Sequence, residues 1–102
     1  MYPRLIGPFK GQWRVASGGG TCRISDLSLS GCFISCVAPP DVGERAAIMV
    51  EVDGETSPAV EGAVVSSEWG MGFAVQFERI TARELANLKA LIVRLGNSRE
   101  TA

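Results

Sequence analysis

Histidine is absent from this sequence of 102 residues, so no side chain is available that changes its charge near neutral pH without perturbation. The chain also lacks a glycine-rich phosphate loop leading into a helix. Its longest glycine run, in Ser17-Gly18-Gly19-Gly20, lies between two predicted strands. These absences argue against acid–base catalysis and against a phosphate cradle. We therefore predict that the protein acts by binding and is not an enzyme.

Cysteine is scarce, with only Cys22, Cys32 and Cys36, and none of them lies in a Cys-x-x-Cys motif. Tetrahedral zinc needs four ligands, and neither a fourth cysteine nor a histidine exists. An odd number of cysteines also fits reduced thiols better than a disulfide framework. We predict no metal site and no cofactor, and we assign the cysteines to core packing.

Long apolar runs are also missing, because no stretch approaches the roughly 20 residues that a membrane helix requires. The N-terminus lacks the pattern of a secretory signal, so we predict a cytoplasmic protein without a membrane partner. A net charge of −1 gives no general attraction to DNA or RNA. The cations Arg4, Lys10, Arg14 and Arg23 nevertheless all precede the first acidic residue, Asp26. An anionic ligand should therefore meet the N-terminal quarter.

Apolar residues alternate with a period of two over most of the chain, and clusters of Gly, Pro, Ser and Asp interrupt them. This rhythm predicts six strands, at residues 9–16, 21–25, 31–37, 45–53, 59–68 and 71–78. Ser17–Gly20 is the predicted first hairpin turn, and Asp53-Gly54 marks another turn. Because closure removes exposed sheet edges, we predict an all-β fold, a six-stranded antiparallel barrel.

The alternation also predicts which side chains face the core. Ile48, Val50 and Val52 share one face, and Met71, Phe73, Val75 and Phe77 form an inward stripe. In the third strand, one face carries Cys32, Ile34 and Cys36, and the other face carries Phe33 and Val37. For Trp13 and Trp69, we favour packing over a role as a platform on which a base stacks.

One helix closes the chain. Thr81-Ala82-Arg83-Glu84 is a capping box that starts a helix over about residues 81–95, with Gly96 as its C-cap. Its apolar positions recur at helical spacing and are assigned to the core of the same domain: Leu85, Leu88, Leu91, Ile92 and Leu95. We predict a single domain over residues 1–97 and a disordered tail over residues 98–102.

The segment from Ser25 to Gly31 contains the pattern Asp26-x-Ser28-x-x-Gly31, which by itself describes a good turn. Together with Tyr2-Pro3-Arg4, with Cys32-Phe33-Ile34 and with the Gly-x-Gly-Phe strand at residues 70–77, it resembles the PilZ domain family. The resemblance spans nearly the whole chain. It implies a six-stranded antiparallel β-barrel with one C-terminal helix.

PilZ domains are best known as bacterial receptors for the second messenger cyclic di-GMP, so the resemblance implies a signalling role with this dinucleotide as ligand. It also implies the site residues. Arg4 would grip a phosphate and stack on guanine, Asp26 would accept hydrogen bonds from a guanine edge, Ser28 would contact guanine or phosphate, and Gly31 would permit close approach. A protein effector is the second implied partner.

The sequence departs from the family's first motif, Arg-x-x-x-Arg. If Arg4 is the second arginine, its partner falls before Met1, and if it is the first, the partner position holds Pro8. Lys10 and Arg14 have the right mutual spacing, but Arg14 lies too close to the second motif to leave room for a first strand and a turn.

Three hypotheses follow. The first is a cyclic di-GMP receptor that couples nucleotide binding to a protein partner. The second is a degenerate PilZ domain that binds a protein and no nucleotide. An unrelated β-barrel or an enzyme is the third.

Overall fold

A computed structural model describes residues 4–100 of the protein, and the side chains of residues 4–97. It contains seven strands and one helix, whose bounds are β1 (Leu5–Val15), β2 (Gly18–Leu27), β3 (Gly31–Ser35), β4 (Arg45–Val52), β5 (Glu55–Thr56), β6 (Val60–Glu68), β7 (Gly72–Phe77) and α1 (Ala82–Glu100). Six of these strands contain five to eleven residues, in agreement with the period-two alternation of the sequence.

Six of the strands form a closed antiparallel barrel in the order β1-β2-β3-β7-β6-β4, and pairing between β4 and β1 completes the ring. The prediction of a six-stranded antiparallel barrel with a C-terminal helix is confirmed. The seventh strand, β5, was not predicted. It contains two residues and only folds back onto the end of β4.

The turns agree with the sequence at one hairpin and differ at another. Asp53 and Gly54 both have positive φ, at 53° and 80°, as a two-residue type I′ turn requires. The first hairpin turns instead at Ala16-Ser17, because Val15 already pairs with Gly18. The prediction that Ser17–Gly20 forms this turn is therefore wrong. Gly18–Gly20 are the first residues of β2. Glycine can pair in a strand because the hydrogen bonds between strands are made by backbone groups and need no side chain.

The core fills the inside of the barrel, and the predicted inward stripes lie there with one exception. Ile48, Val50 and Val52 are buried, as are Phe73, Val75 and Phe77. Met71 is 57% exposed, which corrects its placement in the stripe. It lies in the turn before β7, and Gly72, with a φ of 148°, redirects the chain before the alternation begins.

The third strand is shorter than predicted, because β3 ends at Ser35 and not at residue 37. Cys32 and Ile34 are buried as expected, Cys36 is half-buried beyond the strand end, and Val37 is 70% exposed.

Helix α1 begins at the predicted capping box. The Thr81 backbone amide donates to Glu84 Oε1 at 3.1 Å, and the Glu84 amide donates to Thr81 Oγ1 at 3.1 Å. The buried side of the helix carries Leu88, Leu91, Ile92 and Leu95, as predicted, while Leu85 is half-buried. No helix in the described part of the chain is long and apolar enough to cross a membrane.

The helix ends later than predicted. It continues through Gly96 to Glu100, so Gly96 is not its C-cap and the end predicted near residue 95 is wrong. A glycine in a helix interior costs about 1 kcal/mol, which does not stop a helix whose neighbouring turn is anchored by buried Leu95. Part of the predicted tail over 98–102 is therefore helical, and residues 101 and 102 lie outside the described residues.

Candidate functional site

Arg4 and Asp26 meet on the outside of the barrel. Arg4 directly precedes β1, and the first residue of β1, Leu5, pairs with Leu27 at the end of β2. This register brings Arg4 Nη1 to 3.7 Å from Asp26 Oδ2. The Arg4 side chain is 59% exposed and that of Asp26 is 22% exposed. The pair is thus accessible to a ligand on one side while the barrel supports it on the other.

Ser28 lies in the turn between β2 and β3, where its hydrogen bonds are local. Its hydroxyl lies 3.0 Å from Ser30 Oγ and 3.3 Å from the Gly31 carbonyl oxygen, and it accepts the Ser30 amide at 3.3 Å. Its own amide donates to the Gly31 carbonyl at 2.9 Å. These bonds give Ser28 a structural role in shaping the turn that carries the motif.

Gly31 allows two strands to approach closely. A Cβ atom at this position would overlap the carbonyl oxygen of Val75 in β7, and it would also lie 3.1 Å from the Val75 carbonyl carbon. Gly72 has the reciprocal role in β7, where a Cβ would overlap the carbonyl oxygen of Ile34 in β3. The backbone that approaches Gly31 is therefore that of β7, and this packing is sufficient to require glycine.

A shallow groove of about 290 Å³ runs across the outer face at this point. Arg4, Asp26 and Gly31 line it, and Ser28 does not. The groove crosses from β2 over β3 and β7 to β6, so its floor is made by the outward side chains of the sheet. The structure thus brings three of the four predicted site residues together and places the fourth in the turn beside them.

Seven residues that line the groove were not among the predicted site residues, and Ser30, Phe33 and Gln76 are those with a hydroxyl, an aromatic ring and an amide. The signal for Phe33 was present, since the alternation already put it on the face opposite Cys32. Ser30 and Gln76 reach the groove through pairing of β3 with β7, in which Gly31 lies opposite Gln76. Single-sequence patterns do not reveal such a register.

The two tryptophans have different environments. Trp13 packs edge-on against Phe73, with ring centroids 5.1 Å apart and an interplanar angle of 65°, so the packing prediction is confirmed for this residue. Trp69 lies in the turn between β6 and β7 and is 77% exposed, so the same prediction is wrong for it. The turn places its ring outside the barrel.

The cysteines are free thiols. Burial raises the pKa of Cys32. The pKa of Cys22 is raised to about 11, mainly by burial and to a smaller extent by the neighbouring Cys36 thiol. Raised pKa values keep these thiols protonated and disfavour thiolate chemistry. Among residues 4–97, no group of three or more His, Cys, Asp and Glu side chains is arranged to hold a metal ion.

Lys10 and Arg14 lie further along β1, opposite Arg23 and Gly19 of β2. Arg14 is therefore near the far end of the first hairpin. The nine positions between Leu5 and Arg14 correspond to roughly 30 Å of extended strand. Arg14 therefore lies far from Asp26 along the hairpin.

Comparison with known proteins agrees with this architecture. A closed six-stranded antiparallel barrel with one C-terminal helix is the architecture of PilZ domains. The family model for the PilZ domain matches residues 1–94, and the chain therefore belongs to the PilZ family.

Among solved structures, the crystal structure of the PilZ domain of CeSA from a cellulose-synthesizing bacterium is similar in fold. The TM-score is 0.72 at 18% sequence identity, with 92% of this chain and 98% of that chain covered. No curated protein matches the chain. PilZ domains are generally receptors for cyclic di-GMP and are binding domains, not catalytic ones.

Proposed function

We propose that this protein is a cyclic di-GMP receptor of the bacterial cytoplasm that acts by binding and transmits the nucleotide signal to a protein effector. Arg4, Asp26, Ser28 and Gly31 form its site. The observation that carries the proposal is the convergence of Arg4 and Asp26, far apart in sequence, at 3.7 Å on one outer groove.

The chemistry of the two side chains suits a guanine dinucleotide. A carboxylate accepts hydrogen bonds from the N–H edge of guanine, and a planar guanidinium binds phosphate or stacks on a base. Asp26 and Arg4 offer these two functions from the same groove. Ser28 and Gly31 hold the turn and the strand that position Asp26, and the Ser28 hydroxyl can rotate toward a ligand.

The groove also suggests how binding changes the surface. Arg4 lies outside the barrel strands and contacts Asp26 from there. Bound nucleotide would replace the contact between Arg4 and Asp26 and so change the outer face that this side of the barrel presents to the effector.

Isothermal titration with cyclic di-GMP, and with cyclic di-AMP as the base control, tests this proposal. We expect guanine-selective binding, and we expect Arg4→Ala to weaken it at least about tenfold because one charge-assisted contact is lost. Arg83→Ala removes the same charge from the exposed start of α1 and should leave affinity unchanged. Equal affinities for the two nucleotides, or an unchanged affinity in Arg4→Ala, would contradict the proposed site.

A second candidate function, a degenerate PilZ domain that recognises only a protein, is favoured by one surface feature. Val37, Trp69 and Met71 are 70%, 77% and 57% exposed at one end of the barrel. Backbone bonds from Gly70 to Val37 and from Cys36 to Met71 hold the two segments side by side. Exposed Trp and Met side chains are typical of protein interfaces.

Recovery of the same partner from a lysate with and without cyclic di-GMP, by a chain that shows no heat of nucleotide binding, would favour the second function. Recovery that depends on the nucleotide would favour the first.

A further inference from the structure

Two cations face each other on the outside of the barrel, two positions along β3 from Phe33 in the proposed nucleotide groove. Lys10 of β1 pairs directly with Arg23 of β2, and both side chains are exposed. Like charges directly opposite each other in an antiparallel ladder are destabilising. An anion between them would remove that repulsion.

Neither cation forms an ion pair within the described part of the chain. The salt bridges there join Arg4 to Asp26, Arg45 to Glu78 and Arg94 to Asp53, and none includes Lys10 or Arg23. Glu51 of β4 also lines the cavity over this pair, but its carboxylate is not within 4.0 Å of either cation. The cavity has a volume of about 550 Å³, enough for part of a nucleotide.

The register places this pair beside Asp26. Asp26 lies opposite Phe33 of β3, and Arg23 lies opposite Ser35. Phe33 and Ser35 are two residues apart on the same outward face, a separation of about 7 Å along the strand. A bulge between Ile24 and Asp26 lets β2 cover the same step with three residues. Asp26 and Arg23 therefore point outward in adjacent rows of the barrel.

Hydroxyl groups border the same position. Ser25, in the bulge, has its Oγ 2.6 Å from Ser35 Oγ. Ser35 also lines the cavity that contains Lys10 and Arg23, together with Thr21. Two cations with nearby hydroxyl donors are the groups that bind phosphate oxygens well.

We infer that Lys10 and Arg23 bind a phosphodiester group of the ligand whose guanine contacts Asp26. This inference rests on the proposed function. It extends the site from the groove across β2 to the outer face of β1. The pair cannot be recognised from the sequence alone, because its two residues lie on different strands and only the strand register brings them together.

Titration of cyclic di-GMP into wild type, Arg23→Gln and Lys10→Gln tests the inference. Glutamine keeps a long polar side chain and removes the charge. Arg14→Gln is the matched control, since it makes the same charge change on the outer face of β1, four positions beyond Lys10. We expect about a tenfold loss of affinity in Arg23→Gln, a smaller loss in Lys10→Gln and less than about a twofold change in Arg14→Gln.

Arg23→Lys serves as the rescue variant and should bind within about threefold of wild type, because it restores the positive charge. Equal affinities in Arg23→Gln and Arg14→Gln, with Arg4→Ala still weakened, would overturn the inference and leave the proposed receptor function intact. Absence of binding in wild type would instead overturn the receptor function, and with it the inference.

Discussion

Substitution of Gly31 by alanine separates the two roles that a glycine in the Asp-x-Ser-x-x-Gly motif can have. The added Cβ would overlap the Val75 carbonyl oxygen and would lie 3.1 Å from the Val75 carbonyl carbon and 3.3 Å from Gln76 Cα. All three are backbone atoms of β7, which cannot rotate away as a side chain can. The strands must therefore separate.

Forcing an extra methyl group into a packed position costs about 1–3 kcal/mol. For a domain of this size, a loss of about 2 kcal/mol lowers the melting temperature by roughly 8–16 °C. Gly20→Ala is the matched control, because no heavy atom would lie within 4 Å of a Cβ added there and the φ of Gly20 is not positive. It should leave stability unchanged or raise it by up to about 1 kcal/mol, since alanine restricts the unfolded chain.

The assay is urea unfolding followed by tryptophan fluorescence, in which the change is expected from Trp13, packed against Phe73, because Trp69 is already 77% exposed in the folded state. The free energy of unfolding of both variants is compared with that of wild type by linear extrapolation. A Gly31→Ala protein as stable as wild type would refute the steric argument. If that stable protein had also lost cyclic di-GMP binding, Gly31 would be a ligand contact and not a packing residue.

Three further predictions follow from local contacts. Thr81→Ala removes the acceptor of the Glu84 amide and should lower the free energy of unfolding by about 1 kcal/mol; a loss below about 0.3 kcal/mol in urea titrations would contradict the observed cap. Trp69→Ser should change stability by less than about 0.5 kcal/mol because the side chain is 77% exposed, and a larger loss in thermal unfolding would show that its ring packs. The folded state raises the pKa of Cys22 from 9.0 to about 11 and so binds this proton more tightly than the unfolded chain. The resulting stability is complete below about pH 9 and is lost as the pH rises toward 11; unfolding free energies of Cys22→Ala should fall less than those of wild type across this window.

Much of the fold could be predicted because local patterns determine it. Alternation of Ile48, Val50 and Val52 sets one face of β4, and the hydroxyl and carboxylate of Thr81 and Glu84 cap the helix, whatever the rest of the chain does. At Gly96 the prediction is wrong because packing of the neighbouring residues overrides a local signal. Gly96 is a good helix terminator in isolation, yet α1 continues past it.

The site depended on strand register, which the hydrophobic pattern and the turn determine together. A first hairpin with Ser17–Gly20 as its turn would place Lys10 opposite residue 27, on the core-facing side of β2. The observed two-residue turn at Ala16-Ser17 instead places Lys10 opposite Arg23. A shift of this size changes which charges are neighbours. Motif residues were identifiable one by one, but their neighbours required the actual pairing.

The contact between Arg4 and Asp26 raises the question of whether a ligand can use both residues at once. At 3.7 Å and with Arg4 59% exposed, this ion pair is of the exposed kind that contributes about 0–1 kcal/mol. Breaking it therefore lowers ligand affinity by no more than about fivefold. Each charge-assisted hydrogen bond formed in its place contributes about 1.5–3 kcal/mol. A nucleotide that takes one such bond from each side chain gains more than it displaces, so the ion pair keeps both groups at the groove without closing the groove to its ligand.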